Sequence, residues 1–176
     1  TATGSYSAEV EWQGCYDRDT IYVEEVSNPI VNAGEDGVYC EGDEYELSGT
    51  SNQVDVLYQW TLPGGAQTAF SSDPVQTADL PGVYTLAAVN QSTSCAGIDV
   101  VELTEIPLPV PDFDLLHEKC TYDEVLLDVG SNWQSVVWFD GSTATTWAAQ
   151  SEGIFQVTIE QLDCSNTVAI EVENIV

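Results

Sequence analysis

The sequence predicts an all-β protein of tandem antiparallel β-sandwich modules, each with one disulfide, and three observations carry that prediction. The first is a pattern written three times: Gly4–Val23 (GSYSAEVEWQGCYDRDTIYV), Gly82–Leu103 (GVYTLAAVNQSTSCAGIDVVEL) and Gly153–Val172 (GIFQVTIEQLDCSNTVAIEV). In each, an aromatic stands two residues after the glycine (Tyr6, Tyr84, Phe155). An alternating strand follows, then a cysteine (Cys15, Cys95, Cys164), then a second alternating strand. The glycines are spaced by 78 residues (4 to 82) and 71 residues (82 to 153), the length of a small β domain and too long for a solenoid repeat. The second observation is that turn signals recur every 8 to 12 residues or so, while no segment sustains a helical period. The third is five cysteines in a short chain, natural staples for modules too small to bury a large core.

Taken in order, residues 1–26 supply Tyr6, Ala8 and Val10 on one strand face, a turn at Gln13-Gly14-Cys15, and Ile21 and Val23 on the returning strand. Two strands alone are barely stable in water, so this hairpin reads as the C-terminal end of a preceding, truncated module, with strand donation to another chain as the alternative. Ser27-Asn28-Pro29 breaks the pattern and opens module one, residues 27–106. Ile30 and Val31 start an edge strand, and Asn32 to Gly37 is a polar loop. Val38 to Leu47 reads as a strand carrying Cys40, Tyr45 and Leu47, and Val54 to Leu62 sends Leu57, Tyr58 and Trp60 into the core. Pro63-Gly64-Gly65 and Asp79-Leu80-Pro81-Gly82 are turns leading to the second hairpin. Module two, residues 107–176, begins at a proline-spaced, extended junction (Pro107, Pro109, Pro111). It repeats the plan: Leu47 and Leu127 each follow an early cysteine (Cys40, Cys120) by seven residues, Trp60 by 20 and Trp138 by 18. Asp140-Gly141-Ser142 takes the turn that Pro63-Gly64-Gly65 fills in module one.

Each module thus holds an early and a late cysteine, and the economical connectivity is Cys40 with Cys95 and Cys120 with Cys164. Cys15, a late cysteine, is then paired upstream, although sequence alone does not fix connectivity. Disulfides at this density point to an oxidising address: secreted, extracellular, at the cell surface. Acidic residues outnumber basic ones 30 to 2, for a net charge of −28, with Arg18 and Lys119 the only cations. Phosphate recognition needs clustered Lys and Arg, so nucleic acid and anionic membrane are excluded as partners. No apolar run approaches the ~18 residues of a membrane span. A zinc site is a poor reading, since no CxxC pair exists and His117 is the only histidine.

The ordered set of early cysteine, leucine, Tyr58-Gln59-Trp60 or Val136-Val137-Trp138, a Gly-rich turn, Gly-x-aromatic, late cysteine and final strand is similar to Ig-like and PKD-like repeats. Such repeats occur in large Bacteroidetes cell-surface adhesins, including the gliding-motility type exported by type IX secretion. The resemblance spans the chain and implies a β-sandwich, an extracellular address and a role as adhesin stalk or filament. The turns Trp60-Thr61-Leu62-Pro63-Gly64-Gly65 and Trp138-Phe139-Asp140-Gly141 depart from the WDFGDG-like turn of PKD repeats, so the fit is closer to the general Ig-like plan.

Catalysis finds little support. No Gly-x-Ser-x-Gly elbow occurs, His117 beside Glu118 reads as a surface residue, and carboxylate pairs are uninformative where everything is acidic. No cofactor is required, and calcium is the sharpest chemical expectation. Glu24, Glu25 and Asp36 crowd the first junction, and Glu102, Glu105, Asp112 and Asp114 the second, with hard oxygen ligands for a cation that would stiffen the array. The competing reading is a solvated acidic face. Trp60 and Trp138 read as core, whereas Trp12, Trp133 and Trp147 are less forced inward and could stack on a sugar. Lys119 could serve an isopeptide crosslink. Asn90-Gln91-Ser92 is a sequon, and Thr20 sits in an O-glycosylation-like tripeptide, Asp19-Thr20-Ile21. The expected role is a non-catalytic stalk or spacer supporting adhesion or gliding. Its partners would be neighbouring modules of the same long chain, self-assembly into filaments, or a glycan or surface ligand. The alternative is a carbohydrate-binding or spacer module of a secreted hydrolase.

Overall fold

The computed structural model describes residues 2–111 and 113–175 and is all-β among them. The strands are β1 (Gly4–Trp12), β2 (Cys15–Val23), β3 (Val31–Asn32), β4 (Gly37–Cys40), β5 (Tyr45–Ser48), β6 (Thr50–Ser51), β7 (Val56–Thr61) and β8 (Val75–Ala78). They continue with β9 (Gly82–Asn90), β10 (Ala96–Ile106), β11 (Leu116–Cys120), β12 (Val125–Asp128), β13 (Ser135–Trp138), β14 (Thr146–Ala149), β15 (Gly153–Gln161) and β16 (Cys164–Ile175). One plan appears twice. A four-stranded sheet of order β4-β10-β9-β7 recurs as β11-β16-β15-β13. Smaller sheets supply the second sandwich layer, β3-β6 and β5-β8 in the first copy and β12-β14 in the second. In both copies the early strand pairs parallel with the last one, Gly37 opposite Leu103 and Leu116 opposite Glu171, while β7–β9, β13–β15 and β15–β16 are antiparallel.

By contacts the chain divides into two units, one comprising Thr1–Asp36, Glu46–Ala78 and Gly82–Glu102, the other Gly37–Tyr45, Asp79–Pro81 and Leu103–Val176. In the first, alternation along β9 buries Tyr84, Leu86 and Ala88, and Leu47, Val56, Trp60, Ala78 and Val101 are buried in the same unit. Backbones approach closely here. A Cβ on Gly97 would stand 2.0 Å from the Pro29 carbonyl oxygen, so only glycine lets the segment before β3 lie across β10. In the second, Phe155, Val157 and Ile159 of β15 and Ile170 and Val172 of β16 pack with Leu127, Val129, Val136, Trp138 and Ala149. Trp60 and Trp138 are each 2% exposed, and their indole N–H groups donate to the carbonyls of Pro74 (2.9 Å) and Ala144 (2.8 Å). A buried indole needs such a partner, and the equivalent choice in both copies shows one core plan.

Two local expectations are corrected. Val38 to Leu47 is not one strand: Gly42, at φ +85°, turns the chain between β4 and β5, and the Asp43 N–H donates to the Cys40 carbonyl (2.9 Å). Leu57 does not share a face with Trp60. The pleat places Val56, Tyr58 and Trp60 together and puts Leu57, half-buried, on the other side with Phe70 and Val89.

Candidate functional site

The chemistry this chain carries beyond its cores is in its sulfurs, and strand register decides where they lie. Hairpin β1–β2 pairs Gly4 with Val23 and closes with Trp12 opposite Cys15. Hairpin β15–β16 repeats the same nine-pair register, Gly153 with Val172 through Gln161 with Cys164. Both close on two-residue turns with positive φ at each position, Gln13 and Gly14 at +52° and +80°, Leu162 and Asp163 at +52° and +62°. In β9–β10 the turn is longer, with the Asn90 N–H donating to the Cys95 carbonyl (2.9 Å). The late cysteine therefore sits at the tip of the same hairpin three times. The early cysteine is the last residue of β4 or β11, opposite Ile106 or Ile175. Each starts the same turn, Asp43 N–H to Cys40 carbonyl and Asp123 N–H to Cys120 carbonyl, at 2.9 and 3.0 Å.

That register overturns the expected pairing of Cys40 with Cys95 and Cys120 with Cys164. Cys95 immediately precedes β10, and Cys40 lies opposite that strand's final residue, eleven residues on. At ~3.3 Å per residue the two are about 35 Å apart, against the less than ~7 Å between Cα atoms that a bridge requires. Cys120 and Cys164 are separated in the same way along β16. The bridge that forms joins Cys40 to Cys164, Cα–Cα 5.6 Å across 124 residues of sequence, and lies inside the second unit. It links the early strand of the first repeat copy to the late hairpin of the second. Cys15, Cys95 and Cys120 are free thiols, Cys15 and Cys120 exposed and Cys95 half-buried. The expectation of one bridge per module is corrected with it, since the structure has one bridge in all among the described residues.

The other predicted positions are placed as follows. Asp36 accepts the Glu102 N–H through Oδ1 (2.8 Å), which ties those two positions by a backbone contact. Asp112 lies outside the described residues. Among the described residues no group of three His, Cys, Asp or Glu side chains comes together that could hold a metal ion, so Glu24, Glu25, Asp36, Glu102, Glu105 and Asp114 are not gathered into a cage. The Asn90 side chain is fully engaged. Its Oδ1 accepts from the N–H groups of Ser92 and Thr93 (both 3.0 Å), and its Nδ2, the atom a glycan would occupy, donates to Gln53 (3.1 Å). Thr20 is exposed on β2. Trp12 is 74% exposed; Trp147 packs tilted against Phe155 (4.7 Å) and edge-on to Phe139 (5.0 Å), its indole donating to Asp140 Oδ2 (3.1 Å). Asp140 is held below the ordinary carboxylate value, chiefly by the Ser142 backbone N–H, then by the Ser142 side chain and the Trp147 indole. Trp133 is half-buried beside Val110, Asp128 and Gln161 in an open groove of about 440 Å³. His117 packs near Phe113 (6.2 Å), and its buried Nε2 has no hydrogen-bond partner among the described residues.

Sequence reasoning offered Lys119 as an isopeptide candidate and did not foresee its burial. It is 4% exposed, and its ammonium donates to the carbonyls of Asp123 (3.0 Å) and Cys120 (3.4 Å), clamping the turn that presents Cys120. The signal was available in its position, since Lys119 takes the place of Tyr39, the inward residue before the other early cysteine.

No protein-family model matches the sequence, and no curated protein matches it. Solved structures do resemble it. The chain covers 75% of a titin I67–I69 three-Ig E-to-A variant at 14% identity and TM-score 0.48, over 99% of its own length. It covers 46% of Sidekick-1 immunoglobulin domains 1–5 at 12% identity and TM-score 0.45, over 98% of itself. It covers 97% of the Ig-like domain of human leucine-rich repeat-containing protein 4 at 19% identity and TM-score 0.39, over 50% of itself. These are likenesses of fold. The duplicated sandwich described above, with its early strand parallel to the last, stands on its own geometry as an Ig-like arrangement.

Proposed function

We propose that the chain is a non-catalytic structural repeat region of an extracellular surface adhesin or filament, a stalk or spacer that supports adhesion or gliding. The observation that carries this is the bridge between successive copies of one sandwich plan. Joining Cys40 to Cys164 closes a span of 124 residues against extension, and such a bridge persists in an oxidising compartment. No helix is long and apolar enough to cross a membrane among the described residues. The acidic surface favours spacing over clumping, since like-charged stalks repel at low ionic strength.

The carbohydrate-binding alternative would need a platform of exposed aromatics on one face. On the first hairpin, register puts Tyr6 and Trp12 on one face and Tyr16 and Tyr22 on the other, so no single row forms there. The stalk reading is tested by antibody labelling of intact cells that make the protein. Label on filaments outside unpermeabilised cells is expected; label that appears only after permeabilisation overturns it.

A further inference from the structure

Three thiols remain after Cys40 and Cys164 are joined, and each repeats one half of that bridge. Cys120 ends β11 as Cys40 ends β4, opposite the last strand of its sheet and starting the same turn. Cys95 and Cys15 occupy the hairpin tip that Cys164 occupies in β15–β16. The chain therefore presents one unused early cysteine and two unused late ones, while the equivalent pair is bridged in the same molecule. Register keeps early and late cysteines of one copy about 35 Å apart, so each needs a different copy. The structural partner of an early cysteine is known from Cys40: the late hairpin of another copy of this sandwich.

We propose that Cys120 of one chain forms the Cys40–Cys164 type of bridge with a late cysteine, Cys95 or Cys15, of a second copy of the chain. The inference deepens the repeat-array reading above and rests on it. The interface is heterologous, an early strand of one copy on a late hairpin of the next, and such an interface joins copies head to tail, into an open filament unless the rotation closes a ring. The turn bearing Cys120 is set for this, since Lys119 pins it through the Cys120 and Asp123 carbonyls and leaves the thiol exposed. The oxidant is a small disulfide such as oxidised glutathione. One protein thiolate attacks the glutathione S–S bond and releases a glutathione thiolate. The partner's thiolate then attacks the mixed disulfide at the protein sulfur and releases the second. One protein S–S bond forms, one glutathione S–S bond breaks, and the two thiol protons end on the two released glutathiones.

The experiment is oxidation of the concentrated chain with oxidised glutathione, followed by non-reducing electrophoresis and mass mapping of a Glu-specific digest. A reducible ladder is expected, its joined peptides pairing Cys120 with Cys95 or Cys15. Cys120→Ser, an exposed change whose fold is checked by circular dichroism, is expected to lose the ladder altogether. Joins of Cys120 to Cys120, joins among late cysteines, a ladder that survives in Cys120→Ser, or a chain that stays monomeric each overturn the inference. Any of these failures leaves the stalk reading intact, because cell-surface labelling of the native protein does not depend on Cys120.

Discussion

Breaking the Cys40–Cys164 bridge lengthens the chain that a pulling force can release, by an amount the sequence separation fixes. Drawn from its two ends, an unbridged chain of 176 residues extends to about 630 Å at ~3.6 Å per residue. The bridge replaces 124 residues of that path with a 5.6 Å Cα–Cα step. About 440 Å is thereby withheld and about 190 Å remains, so most of both sandwiches lies behind the sulfur bond. Single-molecule extension with and without a thiol reductant reads this directly, and Cys40→Ser should match the reduced chain. In the chain-entropy account the same loop contributes about 5 kcal/mol, so the reduced protein should also unfold at markedly lower denaturant. Equal contour lengths before and after reduction would refute the argument, because they would mean that Cys40 and Cys164 do not share a bond.

Further outcomes follow from particular contacts. Gly97→Ala should destabilise by about 1–3 kcal/mol in denaturant titration, since its Cβ meets the Pro29 carbonyl, while Gly4→Ala, with open space around it, should be near neutral. Lys119→Ala should cost about 2–3 kcal/mol by chemical unfolding, because it strips a charged donor from two carbonyls beside a buried stem. Asp140 is held low as a carboxylate, so its contribution is full above the ordinary value of 3.8 and is lost as pH falls through its lowered value. Trp147 fluorescence in acid titration should show that step in the native chain and not in Asp140→Asn. With a net charge of −28, melting temperature should rise with sodium chloride, and calcium at matched ionic strength should add nothing more, given no acidic cage among the described residues. A calcium-specific rise in melting temperature would instead assign the ion to the junction carboxylates.

The hairpins were legible because period-two alternation and a Gly-x-aromatic start are local signals, and the paired tryptophans stood out for the same reason. Cysteine connectivity was not local. It depends on β4 and β11 running parallel to the last strand of their sheets, which sends each early cysteine to the far end of a long strand from the late one. Nothing in the alternation of residues 37 to 40 distinguishes parallel from antiparallel pairing, so the economical pairing within a module was the wrong one. The break between β4 and β5 was readable, since Glu41-Gly42-Asp43-Glu44, inside the stretch read as one strand, is a turn sequence. The burial of Lys119 was not legible from its residue type, because a lysine is rarely buried without a carboxylate, whereas here two carbonyls at the end of β11 hold its ammonium.

The first hairpin sharpens the case for copies joined to copies. In β9 and β15 the residues two, four and six after the opening glycine are buried: Tyr84, Leu86 and Ala88, then Phe155, Val157 and Ile159. Their counterparts in β1 are Tyr6, Ala8 and Val10, on the same face by register, and all three are exposed. Nothing among the described residues covers that face, so a strand supplied by a second copy of the chain would find an apolar surface there to pair with and bury. Salt bridges cannot supply that cohesion in a chain whose two cations are occupied, Arg18 on the Ser7 hydroxyl and Lys119 on backbone carbonyls. Apolar burial and sulfur bonds are the forces left to hold successive copies together, and neither is weakened by the salt that this charge density requires.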